Sequence, residues 1–143
     1  MGRIRVVLAD DHYELRKRVA GLLAAEFDVV GSARNGRELL ALADALQPDI
    51  VIADVSMPVL NGIDAVRHLA EQGSGARFIF LTLHHEQVFV DACFAAGAMA
   101  YVVKNRLPTD LLLAIREVLM GRRFISPTLN LSPGEICFDP KAL

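Results

Sequence analysis

IVIAD, residues Ile50–Asp54, is the stretch on which the fold turns. Four apolar residues in a row, three of them β-branched, show no polar alternation, so a strand here needs cover on both faces. An acid follows at once. Runs of the same kind recur at Ile4–Ala9, Asp28–Gly31, Phe78–Leu81 and Tyr101–Val103. Between them lie segments with helical spacing, carried by Leu15, Val19, Leu22 and Leu23, then Leu39, Ala43 and Leu46. Ile63, Val66 and Ala70 continue the pattern, as do Phe89, Ala92, Cys93 and Ala96. A last helix is expected from near Pro108, where proline suits the first turn, to near Gly121. Leu111, Ile115, Val118 and Leu119 mark its inner face, while Leu112 and Leu113 widen the apolar stripe.

Five strands in alternation with five helices predict an α/β fold: a five-stranded parallel sheet, (βα)5 and doubly wound, flavodoxin-like, with strand order 2-1-3-4-5. Phe124–Leu143 holds three of the six prolines and no helical period, and is expected to be a poorly structured tail. A chain of 143 residues, 53% hydrophobic and 22% charged, has ample apolar surface for one domain without disulfides or structural zinc. Its net charge of −2 argues against wrapping nucleic acid or coating an anionic membrane. Cys93 and Cys137 have no metal-ligand spacing, and no apolar run reaches membrane-spanning length, so a cytoplasmic location is expected.

In such sheets the functional crevice lies beyond the carboxyl ends of the strands, where strand order reverses. The residues found there are Asp10 and Asp11 after the first strand, Asp54 after the third, Thr82 ending the fourth and Lys104 after the fifth. Crowded carboxylates repel, so at least one pKa should rise unless a cation intervenes. An all-oxygen, strongly charged ligand set favours a hard divalent ion, and Mg²⁺ suits an open site. With a lysine and a hydroxyl alongside, this outlines a phosphoryl-acceptor site. Each residue also has a plainer reading: Asp10 or Asp11 as a helix cap, Thr82 as a cap or hydroxyl turn, Lys104 as a solvated lysine. Their joint fall at one sheet edge, on four strands, outweighs those readings.

LADDH (Leu8–His12), DVSMPVLNG (Asp54–Gly62), LTLHHE (Leu81–Glu86) and GAMAYVVKN (Gly97–Asn105) together resemble the receiver domain of two-component response regulators. The likeness runs from Ile4 to about Ile125, and its finer style, with the ending GRRFISP, is similar to the NarL/FixJ-type subgroup. The resemblance implies residues 1–125 as receiver, with 126–143 a tail readable as the remnant of a linker to a DNA-binding domain. It implies Asp54 as acceptor from the phosphohistidine of a sensor histidine kinase. Asp10, Asp11, Asp54 and the backbone carbonyl of Ser56 would hold Mg²⁺. Lys104 and Thr82 would meet phosphoryl oxygens, and Tyr101 would be the switch aromatic, turning inward as Thr82 moves. The responsive face would be helix 4, strand 5 and helix 5, with a homodimer through that or another face and transcription as the regulated output. Ser56 and His84 lie where side chains tune acyl-phosphate lifetime, and Leu83 stands where many receivers have a small residue, narrowing access. The chain would be an acceptor rather than a turnover enzyme.

LSPGE (Leu131–Glu135) is similar to the opening of the subgroup's helix-turn-helix domain, but ICFDPKAL, directly after it, lacks its pattern. This chain is therefore not expected to bind DNA directly. Two rival functions remain. A degenerate receiver would act only as a protein-interaction module. An aspartyl-nucleophile phosphatase would want a second acid two residues after the nucleophile, where this chain has Ser56.

Overall fold

The computed structural model describes residues 3–84 and 86–127. Strands β1 (Arg5–Ala9), β2 (Asp28–Ala33), β3 (Ile50–Ala53), β4 (Arg77–Thr82), β5 (Ala98–Val103) and β6 (Phe124–Ile125) form one sheet. Helices α1 (Tyr13–Leu23), α2 (Gly36–Leu46), α3 (Gly62–Glu71), α4 (Gln87–Ala96) and α5 (Leu107–Leu119) connect the first five strands and follow the fifth. The strand order is β2-β1-β3-β4-β5-β6, and every pairing is parallel.

The apolar runs behave as their composition dictates. All four residues of Ile50–Ala53 are buried, because β3 lies between two other strands and two helical layers. Side chains alternate across the sheet, so each strand feeds two cores. Val7, Val51, Phe80, Tyr101 and Val103 pack with α2, α3 and α4. Val6, Ile52, Leu81 and Val102 pack with α1 and α5. Asn35 and Asn61 cap α2 and α3 by accepting the backbone N–H of Glu38 and Asp64 at 2.9 and 2.8 Å. In α4 the buried face is Val90, Cys93 and Ala96; Phe89 and Ala92 sit at its margin.

The expected five-stranded sheet has a sixth strand. Phe124 and Ile125 pair with Ala100 and Tyr101, so the segment expected to be a poorly structured tail begins as an edge strand. Two residues cannot display a periodicity, which is why the pattern gave no sign of it. The remainder of that tail from residue 128, including Cys137 and Leu131–Glu135, lies outside the described residues, as does His85. The leucine triplet resolves unevenly: Leu111 is fully buried, Leu112 is partly covered against the same core and Leu113 is 45% exposed, so the excess width is only partly core.

Two backbone features shape the loop after β3. Gly62 lies so close to the Asp54 carbonyl that a Cβ there would collide with that oxygen. Val59 has φ of 71° and is 71% exposed. A β-branched residue in the left-handed region carries strain of about 1–2 kcal/mol. Val59→Asn, which tolerates this conformation, is expected to raise stability by about 1 kcal/mol in urea unfolding. A lower midpoint in the variant would show that the loop needs the valine side chain.

Candidate functional site

The parallel ladder carries the acids to their places. The Asp10 backbone N–H donates to the Ala33 carbonyl at 3.0 Å, and that of Asp54 to the Ala9 carbonyl at 2.9 Å. Both carboxylates are therefore fixed to neighbouring strand ends at the β1–β3 reversal, and both residues are only 5% exposed. Lys104, directly after β5, reaches across to them. Its Nζ lies 2.8 Å from Asp10 Oδ2 and 3.0 Å from Asp54 Oδ2. One ammonium thus spans two buried carboxylates.

Burial pushes the Asp54 carboxyl above the usual carboxylate range; Lys104 pulls it down and Asp10 pushes it up further, leaving it raised. Lys104 also moves upward: burial opposes its charge, but the hydrogen bonds and charges of Asp10 and Asp54 prevail. One carboxyl is raised, at Asp54 and despite the intervening lysine, but burial is the main cause and the neighbouring Asp10 charge the lesser one. The second Asp54 oxygen, Oδ1, accepts only a long bond from the Ser56 N–H at 3.3 Å.

Asp11 stands at the mouth, about one-third exposed, and lines an open cleft with Ser56, Met57, Pro58 and Asn61. His12, to which the sequence pattern assigns no role, places Nδ1 3.2 Å from both Asp10 Oδ1 and Asp11 Oδ1. The signal that could have found it is adjacency alone. The cap reading of Asp10 is replaced by a tight turn: its carboxylate accepts the N–H of His12, the residue that itself precedes α1.

Thr82 is fully buried, and its Oγ1 accepts the His84 N–H at 3.1 Å, the hydroxyl turn weighed as its plainer reading. His84 ties several parts together. Its Nε2 lies 3.1 Å from Ser56 Oγ, its ring stacks on Phe89 at 4.0 Å between centroids, and its carbonyl accepts the Tyr101 hydroxyl at 3.0 Å. Ser56 and His84, named separately in the sequence, are direct partners. The Tyr101 ring is wholly buried and already inward, and burial drives its hydroxyl pKa upward. Leu83 is 65% exposed and shares a second cleft with His12, Leu15, Arg18, Lys104 and Asn105.

A carboxylate paired to an ammonium, with one oxygen weakly engaged and an acidic wall beside it, can act as a nucleophile toward phosphorus. The donors of Asp10, Asp11, Asp54 and the Ser56 carbonyl are all oxygen, and the buried Asp10 Oδ2 has the Lys104 ammonium at 2.8 Å beside it. That set fits a hard divalent cation such as Mg²⁺.

Comparison with known proteins agrees with this geometry. Residues 6–116 match the family described as the response regulator receiver domain. Response regulator GacA of Pseudomonas aeruginosa is 35% identical over 140 residues, covering 96% of this chain and 65% of that protein. The nitrate/nitrite response regulator protein NarL of Escherichia coli K12 is 36% identical over 128 residues, covering 87% of this chain and 59% of its own length. The chain thus spans about three-fifths of these relatives' length. The crystal structure of a LuxR-family two-component response regulator from Aurantimonas superposes with a TM-score of 0.84 at 32% identity, covering 99% of this chain and 97% of that one. With the acidic crevice, the bridging lysine and the parallel sheet in the expected order, the chain belongs to the receiver domain family of two-component response regulators.

Proposed function

We propose that this receiver takes a phosphoryl group onto Asp54 from the phosphohistidine of a sensor histidine kinase. An Asp54 oxygen attacks phosphorus, the phosphorus–nitrogen bond breaks with the imidazole leaving, and an acyl phosphate forms. The observation that carries this reading is Lys104 set between Asp10 and Asp54, where its ammonium can follow a phosphoryl oxygen without leaving the crevice. Thr82, buried at the end of β4, accepts the His84 N–H through a lone pair of Oγ1, so its hydroxyl proton can still be donated to a phosphoryl oxygen.

Asp10, Asp11, Asp54 and the Ser56 carbonyl would hold Mg²⁺. When bound, the ion supplies positive charge that offsets the crowded carboxylates and the incoming phosphoryl oxygens. Movement of Thr82 disturbs His84, hence the Tyr101 hydroxyl, and so passes to α4, β5 and α5. The domain is an acceptor that switches, not a turnover enzyme, and relatives in Brevibacillus brevis and Bacillus subtilis that are named transcriptional regulatory proteins support transcription as the output. No helix among the described residues is long and apolar enough to cross a membrane.

With Mg²⁺ and acetyl phosphate, the wild-type chain is expected to gain one phosphoryl group by mass spectrometry, and Asp54→Asn none. An adduct that persists in the variant, or none on the wild type, would refute Asp54 as acceptor.

A further inference from the structure

A second buried polar cluster lies on the far edge of β5, outside the acceptor crevice. Ser126 is fully buried and makes three hydrogen bonds. Its N–H donates to the Tyr101 carbonyl at 2.9 Å, its Oγ accepts the Val103 N–H at 3.0 Å, and its hydroxyl donates to Asp110 Oδ2 at 2.7 Å. Asp110 is 3% exposed at the start of α5 and also accepts Arg106 Nε at 2.7 Å. The same short segment touches the remaining output elements. Arg123 lies over the Phe94 ring of α4 at 5.5 Å, and Arg122 pairs with Glu117 of α5 at 2.6 Å.

We propose that Arg122–Ser126 is a coupling strap whose docking on β5 and the phosphorylation of Asp54 favour one another. The proposal rests on the phosphoacceptor reading above. Ser126 grips β5 at Tyr101 and at Val103, the switch aromatic and the residue before Lys104. Both partners are backbone atoms, so a shift of the β5 backbone that carries Tyr101 and leads into Lys104 moves a strap partner. A buried polar network tolerates no half-made state, since each orphaned group keeps its desolvation cost, so the strap is either docked or released. In the docked arrangement Tyr101 is inward on the His84 carbonyl and Lys104 points at Asp54, the placement an acyl phosphate needs. Docking thus holds the crevice ready, and the occupied crevice holds the strap. The chain continues beyond Ser126 to residue 143, so the strap is also the point where the switch joins the remaining residues of the chain.

Linkage makes the test reciprocal: whatever factor occupancy adds to docking, docking adds to occupancy. The full chain is followed by hydrogen exchange and by NMR titration with beryllium trifluoride in the presence of Mg²⁺. Binding is expected to slow backbone exchange at residues 124–126, and Ser126→Ala to weaken beryllium trifluoride binding, each by about five-fold or more. Arg123→Ala, an exposed change, is expected to do the same to a smaller degree and replaces Ser126→Ala should that variant not fold. Normal binding by the wild type with unchanged strap exchange would overturn the strap and leave the acceptor intact. A wild type that binds no beryllium trifluoride would overturn the acceptor reading and this inference with it.

Discussion

Lys104→Ala is expected to cost about 3 kcal/mol of stability at neutral pH, the scale for removing one partner of a buried ion pair. The wild-type ammonium lies within 3.0 Å of both carboxylates, and the side chains of all three residues are less than 10% exposed. Without it, burial and Asp10 act on Asp54 with only the long Ser56 N–H bond against them, and raise its pKa further. A folded-state carboxyl pKa above the unfolded value means the folded chain binds more protons in between, so stability falls as pH rises through that window. The variant's deficit therefore grows upward from about pH 4, the unfolded Asp value, and shrinks on acidification. Lys104, with its own raised pKa, contributes fully below the unfolded lysine value near pH 10.4 and is lost as pH rises through its folded value. Urea unfolding at pH 5 and pH 7.5 separates the cases. Wild type and variant running parallel at both would show that Lys104 does not neutralise the crevice. Mg²⁺ should restore more stability to the variant than it adds to the wild type, since the variant has lost the ammonium that spans two of its buried acids.

Gly62→Ala is expected to cost about 3 kcal/mol or more and to lower phosphoryl uptake as well. Its Cβ would strike the Asp54 carbonyl oxygen and then crowd the Phe80 ring, 3.3 Å away. Relief requires moving the backbone that holds the acceptor or breaking the Gly62 N–H bond to the Val55 carbonyl at 2.9 Å. Gly21 supplies the control: it is exposed in α1 and a Cβ there meets nothing within 4 Å. Gly21→Ala should gain about 0.5–1 kcal/mol through helix propensity. Equal melting temperatures for the two variants would mean the loop yields more easily than its packing implies.

Much of the site was legible because it sits at strand ends. Asp10, Asp54, Thr82 and Lys104 each follow or close an apolar run, and a parallel sheet leaves such residues only its carboxyl edge. The partnership of Ser56 with His84, 28 residues apart, left no local trace. Nor did the Ser126–Asp110 clip, since a serine after two apolar residues reads as a turn until β5 is seen beside it. His12 carried no signal because a histidine following two acids is equally at home in solvent.

The pattern of residues along the chain is enough to predict a parallel α/β domain and to name the acids at its edge. Continuous β-branched runs need cover on both faces, and only strands between helical layers provide it. Tertiary structure alone decided what neutralises those acids and how the end of the domain is closed. Lys104 meets Asp54 across 50 residues of chain, and Ser126 returns to β5 after a whole helix. Charge pairing and strand-edge pairing act through space, whereas periodicity records only what a residue's immediate neighbours require.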